Sequence, residues 1–319
     1  MRPRALVLRA LKVGDLLTAV PALRGVRIAL PDHEITLAAP AVLGPLVELV
    51  EDVDRLLPAA ELQPVPWTGP PPQVAIDLHG RGPESRGLLA ALQPGRLIGF
   101  DCPGTDYRGP VFDPDEHEVE RWARLLRETL GVAVDSTDLG IEAPPVRPST
   151  YGAVVIHPGA SSGARRWPAS HFGQVARWCC ERGWPVVLTG GPQETELVDE
   201  VRRLSGLDPD ADLSGRTGLA ELASLVASAR LVVSGDTGIA HLASAYGTAS
   251  VVLFGPTPPS RWGPPQLPRH TVLWHPGPVG DPHAEDTHPG LGVISVDEVL
   301  DAVRQHLAKV RVLETTRES

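Results

Sequence analysis

Cysteine, methionine and long apolar runs are scarce in this chain of 319 residues, which has three cysteines and one methionine. Cys102, Cys179 and Cys180 form an odd set without metal-ligand spacing, which argues against a disulfide framework and suits a reducing compartment. No stretch of about 18 apolar residues occurs, so no segment reads as a membrane-spanning helix. No GxGxxG follows an apolar strand and no GxxxxGK[ST] is present, so the fingerprints of a dinucleotide dehydrogenase and of a P-loop kinase are missing. Positive charge is also in deficit. A formal net charge of -10 disfavours bulk association with nucleic acid, and an anionic ligand has to be held by a local site.

The opening thirty residues run against that average. Arg2, Arg4, Arg9, Lys12, Arg24 and Arg27 face only Asp15 and the Asp32 that ends the stretch, an excess suited either to steering a phosphorylated or membrane-surface substrate or to a solvated face beside a buried strand. Arg9, Lys12 and Asp15 interrupt what would be the hydrophobic region of a signal peptide, so the expectation is a mature cytoplasmic protein, with peripheral contact at the inner face of the membrane left open.

What is present is one grammar written twice. "RALVLRALKVGDLLTAVPALRGVRIALPDHEITLAAP" reads as a strand, a Gly-Asp turn at Gly14 and Asp15, a helix through about Leu30 and a second strand. "QVAIDLHG", "PESRGLLAALQ", "RLIGF" and the charged helix ending at Gly131 continue it. "APPVRPS" at 143–149 breaks the pattern with its prolines and reads as a linker, giving domains 1–145 and 146–319. The alternation then restarts and runs through "LVVSGDTGIAHLASAYGTASVVLFG". The segment 264–292 reads as a loop, and "SVDEVLDAVRQHLAKV" as a closing helix capped by Ser295 or Asp297. Alternating strands and helices imply parallel sheets covered on both faces, with ligands expected at the carboxyl ends of the strands in a cleft between the domains.

Three strand-to-helix junctions of the second half suit a nucleotide diphosphate. In "SGDTG", Gly235 and Gly238 allow close backbone approach and Thr237 adds a hydroxyl. Asp236 would repel a phosphate and is expected to cap the following helix instead. His241, one turn in, is a ring donor to phosphate or an ordinary core histidine. "HPGASSGARRWP" offers Ser161 and the guanidinium forks of Arg165 and Arg166. "GGPQETE" offers Glu194 to sugar hydroxyls or to a helix N-terminus. In the first half Asp15 is a candidate general base or a helix cap, and Lys12, His79, Arg81 and Arg86 are weaker candidates for an anionic acceptor. His275, His283 and His288 with Asp281 and Asp286 lack a regular frame for a metal and read as a solvated loop.

"VGDLLTAVPALRGVR", "GASSGARRWPASHFGQVA", "LTGGPQE" and "SGDTGIAHLASAYGTASVVLFGPTPPSRWGP", in this order and spacing, resemble glycosyltransferase family 9, which includes the lipopolysaccharide core heptosyltransferases. The resemblance covers nearly the whole chain. It implies a GT-B fold, two Rossmann-like α/β domains with parallel sheets facing across a cleft. It implies inverting, metal-independent transfer from a nucleotide-diphospho-sugar, usually ADP-heptose, with no cofactor, to a glycan, glycolipid or small-molecule acceptor. The family's catalytic aspartate falls on Asp15, its basic residue on Arg165, its donor-binding acid near Glu194, and its pyrophosphate loop on Asp236, Thr237 and Gly238 with His241 behind. Many relatives have cysteines before the last helix, where this chain has histidines. The content of Pro, Gly, Ala and Arg resembles that of a high-GC genome, and a source without an outer membrane would need an acceptor other than lipopolysaccharide. The resemblance leaves open a GT-B 2-epimerase, for which no acid-base constellation is found, and a binding protein that has lost catalysis. Oligomeric state is open.

Overall fold

Ala5 to Leu8 are almost fully buried because they form the central strand of a parallel sheet, where both faces are covered. The computed structural model describes residues 2–277 and 280–317, with residues 309–317 described by backbone alone. The chain divides into two units, Met1–Glu142 and Ala143–Ser319, at the start of the proline-rich stretch.

In the first unit, β1 (Arg4–Leu8), β2 (Glu34–Ala39), β3 (Arg55–Pro58), β4 (Val74–Asp77) and β5 (Arg96–Ile98) form a sheet of order β3-β2-β1-β4-β5. All its pairings are parallel. The single helix expected after Gly14 is two, α1 (Val13–Thr18) and α2 (Val20–Ala29), with Pro21 in the first turn of α2, where a missing N–H costs no bond. Short helices α3 (Gly44–Val47) and α4 (Glu84–Ala90) follow. Then α5 (Glu118–Leu130) stops at Gly131, which adopts φ 68°.

The second unit has β6 (Val154–His157), β7 (Val186–Leu188), β8 (Leu231–Gly235), β9 (Ser250–Phe254) and β10 (His270–Trp274), in the order β10-β9-β8-β6-β7 and again all parallel. Its helices are α6 (Ala169–Glu181), α7 (Thr195–Ser205), α8 (Leu219–Ser228), α9 (Gly238–Tyr246), α10 (Pro259–Trp262), α11 (Pro289–Gly292) and α12 (Val296–Arg317). Ser295 Oγ accepts the Glu298 N–H at 3.2 Å while Glu298 accepts the Ser295 N–H at 2.8 Å, so Ser295 is the cap of α12.

The expected loop at 264–292 is corrected, since it contains β10 and α11. As an edge strand with only partly buried residues, β10 has a weak apolar signature, and the same holds for β3. Each sheet reverses its winding at one point, between β1 and β4 in the first unit and between β6 and β8 in the second. Carboxyl ends of strands at such switch points are where open α/β sheets bind ligands. Asp15 follows β1, and the Gly235–Gly238 turn follows β8.

Candidate active site

The turn after β8 holds buried polar atoms that have nothing to bond. Thr237 is the N-cap of α9, in extended conformation and without a side-chain capping bond. Its Oγ1 is buried and has no hydrogen-bond partner, and neither has Nε of Arg165. The first N–H groups of α9 have no acceptor within the helix, and the positive end of its dipole lies there. Unpartnered donors near a helix start make this turn a candidate anion site.

The expectation that Asp236 caps α9 is corrected. The N-cap position falls one residue later, on Thr237, and the Asp236 carboxylate accepts no backbone bond. It is 6% exposed, and its partner is Arg165, with Nη1 3.6 Å from Oδ2. Burial pushes its carboxyl up to about 6, against the opposing pull of Arg165.

Backbone geometry places Arg165. The Ser162–Arg166 turn crosses the ends of β8 and β9, where a Cβ on Gly235 would lie 3.1 Å from the Arg165 carbonyl and one on Gly255 3.2 Å from the Ala164 carbonyl. A side chain at Gly235 would thus press on the turn that carries Arg165. Segment 281–288 is stapled onto this turn: Ser162 Oγ donates to Pro282 O at 2.6 Å, Ala164 N–H to Ala284 O at 2.9 Å, and Thr287 Oγ1 to Arg166 O at 3.0 Å. A Cβ on Gly163 would overlap the backbone of Glu285. Asp281, His283 and Asp286 are exposed in a loop, as expected, and the departures are the bonds that hold this loop to the turn and the burial of His288. His288 is 6% exposed and accepts the Gly290 N–H at 3.2 Å, while His275 Nε2 lies 2.7 Å from Glu298 Oε1. Among the described residues no group of three or more His, Cys, Asp or Glu is placed to hold a metal ion.

Sequence reasoning missed Thr257, whose Oγ1 accepts from Arg165 Nη2 at 3.3 Å. It misread Arg166, which donates from Nε and Nη2 to Ala160 O at 3.1 and 2.9 Å and so braces the turn from within. Ser161 is exposed at the tip. Glu194 accepts the Gly191 N–H at 2.7 Å, closing its own turn after β7, and its Oε2 stands 3.9 Å from His157 Nε2. Burial holds the His157 ring below the usual histidine range, with Glu194 opposing. His241 packs edge-on against Trp262, with ring centroids 5.9 Å apart.

In the first unit Asp15 is held as a helix cap and still presents its carboxylate to solvent. Its Oδ2 accepts the Lys12 N–H at 3.2 Å, as a helix cap does, yet the side chain keeps 21% exposure. Arg9, 1% exposed, holds it from behind. Nε donates to Asp15 O at 2.9 Å, and Nη2 lies 3.5 Å from Oδ1 and 2.8 Å from Glu118 Oε1. Burial pushes the Glu118 carboxyl up, but the charges of Arg9 and Arg121 and the bonds from Arg9 and Trp122 outweigh it and hold it below the ordinary value. Lys12 and Arg81 are exposed. His79 is half-buried, and burial holds its ring low against the pull of Asp77. Arg86 is not a surface residue: it is 3% exposed, pairs with Asp77 at 3.2 Å and stacks 4.0 Å over Tyr107. A mostly apolar cavity of about 320 Å³ opens between β1 and α1, lined by Leu11, Lys12, Val13, Val42, Leu43 and Glu61 among others; Asp15 does not line it.

The basic start is largely neutralised. Arg2 and Arg27 pair with Asp54, Arg24 with Asp52 and Asp138, and Arg4 donates to the carbonyls of Thr68 and Pro70. With Arg9 buried as well, most of these cations are fixed by internal contacts, while Arg4 and Lys12 keep uncompensated charge.

The profile of glycosyltransferase family 9 (heptosyltransferase) matches residues 105–286. Lipopolysaccharide heptosyltransferase 1 of Pseudomonas aeruginosa is 34% identical over 124 residues, covering 37% of this chain and 34% of that enzyme, so the match spans about a third of the relative's length. Among solved structures, a family 9 glycosyl transferase from Veillonella parvula superposes with a TM-score of 0.78 at 21% identity, covering 96% of this chain and 97% of its own. The ADP-heptose LPS heptosyltransferase II of E. coli superposes with a TM-score of 0.73 at 21% identity, covering 97% and 99%. At that identity the superpositions establish the fold, two Rossmann-like domains of the GT-B class.

Proposed function

The chain belongs to glycosyltransferase family 9, and from that premise we propose that it transfers a heptose from ADP-heptose to an acceptor hydroxyl, with inversion and without a metal. The observation that carries this reading is the pair of orphaned donors, Thr237 Oγ1 and Arg165 Nε, at the start of α9. An arriving diphosphate satisfies both. As the sugar–phosphate bond breaks, negative charge builds on the departing diphosphate, and the helix end, the guanidinium and the hydroxyl stabilise it where a metal would otherwise serve. The relative from E. coli is named for ADP-heptose, which supports adenine as the base and heptose as the sugar.

Asp15 acts as general base, taking the proton of the acceptor hydroxyl as its oxygen attacks the anomeric carbon from the face opposite the leaving group. The apolar cavity lined by Lys12 and Val13 at the start of α1 receives part of the acceptor, a glycan, glycolipid or small-molecule glycoside. A cytoplasmic donor places the reaction in the cytoplasm, with lipid-borne acceptors presented at the inner face of the membrane. No helix among the described residues is long and apolar enough to cross a membrane.

Calorimetric titration with ADP, GDP and UDP in the presence of a metal chelator tests the donor half. Selective binding of ADP supports the reading. Binding that appears only when a divalent metal is restored contradicts it.

A further inference from the structure

Asp236 is a carboxylate on the very turn proposed to receive a diphosphate. It is 6% exposed and accepts no backbone hydrogen bond. The charged group acting on it among the described residues is Arg165, at 3.6 Å. The other ionisable groups nearby are engaged elsewhere. Arg166 is turned onto Ala160 O, His241 on α9 packs against Trp262, and His157 at the end of β6 meets Thr189 Oγ1 at 3.0 Å and Glu194 at 3.9 Å. A diphosphate seated on Thr237 and Arg165 therefore adds negative charge beside an ionised carboxylate and competes for its cation. The start of α9 attracts the anion, but it gives the Asp236 carboxylate no second cation to replace Arg165.

We infer that Asp236 takes up a proton from solvent when the diphosphate binds and then donates it in a hydrogen bond to a phosphate oxygen. The inference rests on the donor reading above and gives Asp236 a role other than capping. A protonated carboxyl is a donor, so it joins Thr237 and Arg165 in holding the anion.

The sign follows from the free state. Burial already raises the free carboxyl to about 6, and the incoming anion raises it further. Between the free and bound values the complex holds more protons than its components, so affinity falls as pH rises, by up to about tenfold per pH unit in that window.

The test is calorimetry with ADP at pH 7.5 in buffers of different ionisation enthalpy, on the wild type and on Asp236→Asn. The expected result is uptake of about half a proton or more by the wild type in excess of the variant, whose amide donates without titrating. Should the variant fail to fold, wild-type ADP affinity between pH 6.5 and 8.5 serves instead. It should fall by about tenfold, although ionisation of ADP's own terminal phosphate, near pH 6, acts the other way. ADP binding with equal proton counts, or with affinity that holds or rises with pH, overturns the inference and leaves the donor site standing. Absence of ADP binding at every pH overturns the donor reading and this inference with it.

Discussion

Individual side chains carry the chemistry, and three of them yield sharp expectations. Arg165 and Thr237 have buried donor atoms without partners. A hydrogen bond to a charged group contributes about 1.5–3 kcal/mol, so Arg165→Ala should weaken ADP binding by roughly 10- to 100-fold while adenosine binding is unchanged. Thr237→Val should weaken ADP as well, yet leave the melting temperature of the free protein equal or higher, because it removes an unsatisfied buried hydroxyl. Unchanged ADP affinity in both variants would assign the diphosphate to other groups. Asp15→Asn should keep ADP affinity and lower acceptor-dependent release of ADP from ADP-heptose by about 100-fold or more. Parallel loss of binding and turnover in that variant speaks against a general base. At this scale the sequence was only half legible. Arg165 and Arg166 are indistinguishable in "ARRWP", and only packing turns Arg166 inward onto Ala160 O. Residue type likewise marks Asp236 as a cap, whereas the backbone of Thr237 takes the cap position away from it.

Elements position those side chains. Apolar strands leading into Gly-Asp turns were plain in the sequence because fully buried parallel strands read as unbroken runs of Val, Leu and Ala. Edge strands β3 and β10 were not, since half-exposed positions tolerate Arg, His and Pro. The attachment of segment 281–288 to the Ser162–Arg166 turn was also not legible, because its bonds are mostly made through main-chain atoms, which leave no residue signature. Gly163→Ala would drive a methyl group into the Glu285 backbone and lift this segment from the turn. ADP affinity should then fall without any change in a side chain that touches the nucleotide, measurable by the same titration, whereas wild-type affinity would show that the staple does not place Arg165. In the first unit, α5 joins β1 through Glu118 and the buried Arg9. The Glu118 carboxyl is held low in the folded state, so its contribution to stability is present above the ordinary carboxylate range and lost as pH falls through the folded value. Glu118→Gln leaves the buried Arg9 with only the longer ion pair to Asp15 and should cost about 3 kcal/mol at pH 7, with a smaller loss of stability on acidification than in the wild type. Thermal melts at pH 7 and pH 4 measure both, and an unchanged melt at pH 7 would show the pair to be dispensable.

The whole molecule repeats one solution. Each unit places its candidate group just past a strand at the reversal of sheet order, Asp15 after β1 and the Gly235–Gly238 turn after β8. That duplication was readable as a grammar that stops at the proline-rich stretch and starts again. It follows from the physics of parallel sheets, whose crossover connections force strand and helix to alternate. The acceptor was not readable, because the apolar cavity between β1 and α1 is assembled from Leu11, Lys12 and Val13 on one segment, Val42 and Leu43 on another and Glu61 on a third. A crystal structure of the protein with ADP, grown in the presence of a metal chelator, examines the donor assignment at its core. The account predicts diphosphate oxygens within about 3.2 Å of Thr237 Oγ1, of the Arg165 guanidinium and of the first N–H groups of α9. A diphosphate bound away from that turn, or ADP held without contact to Thr237 and Arg165, would contradict it.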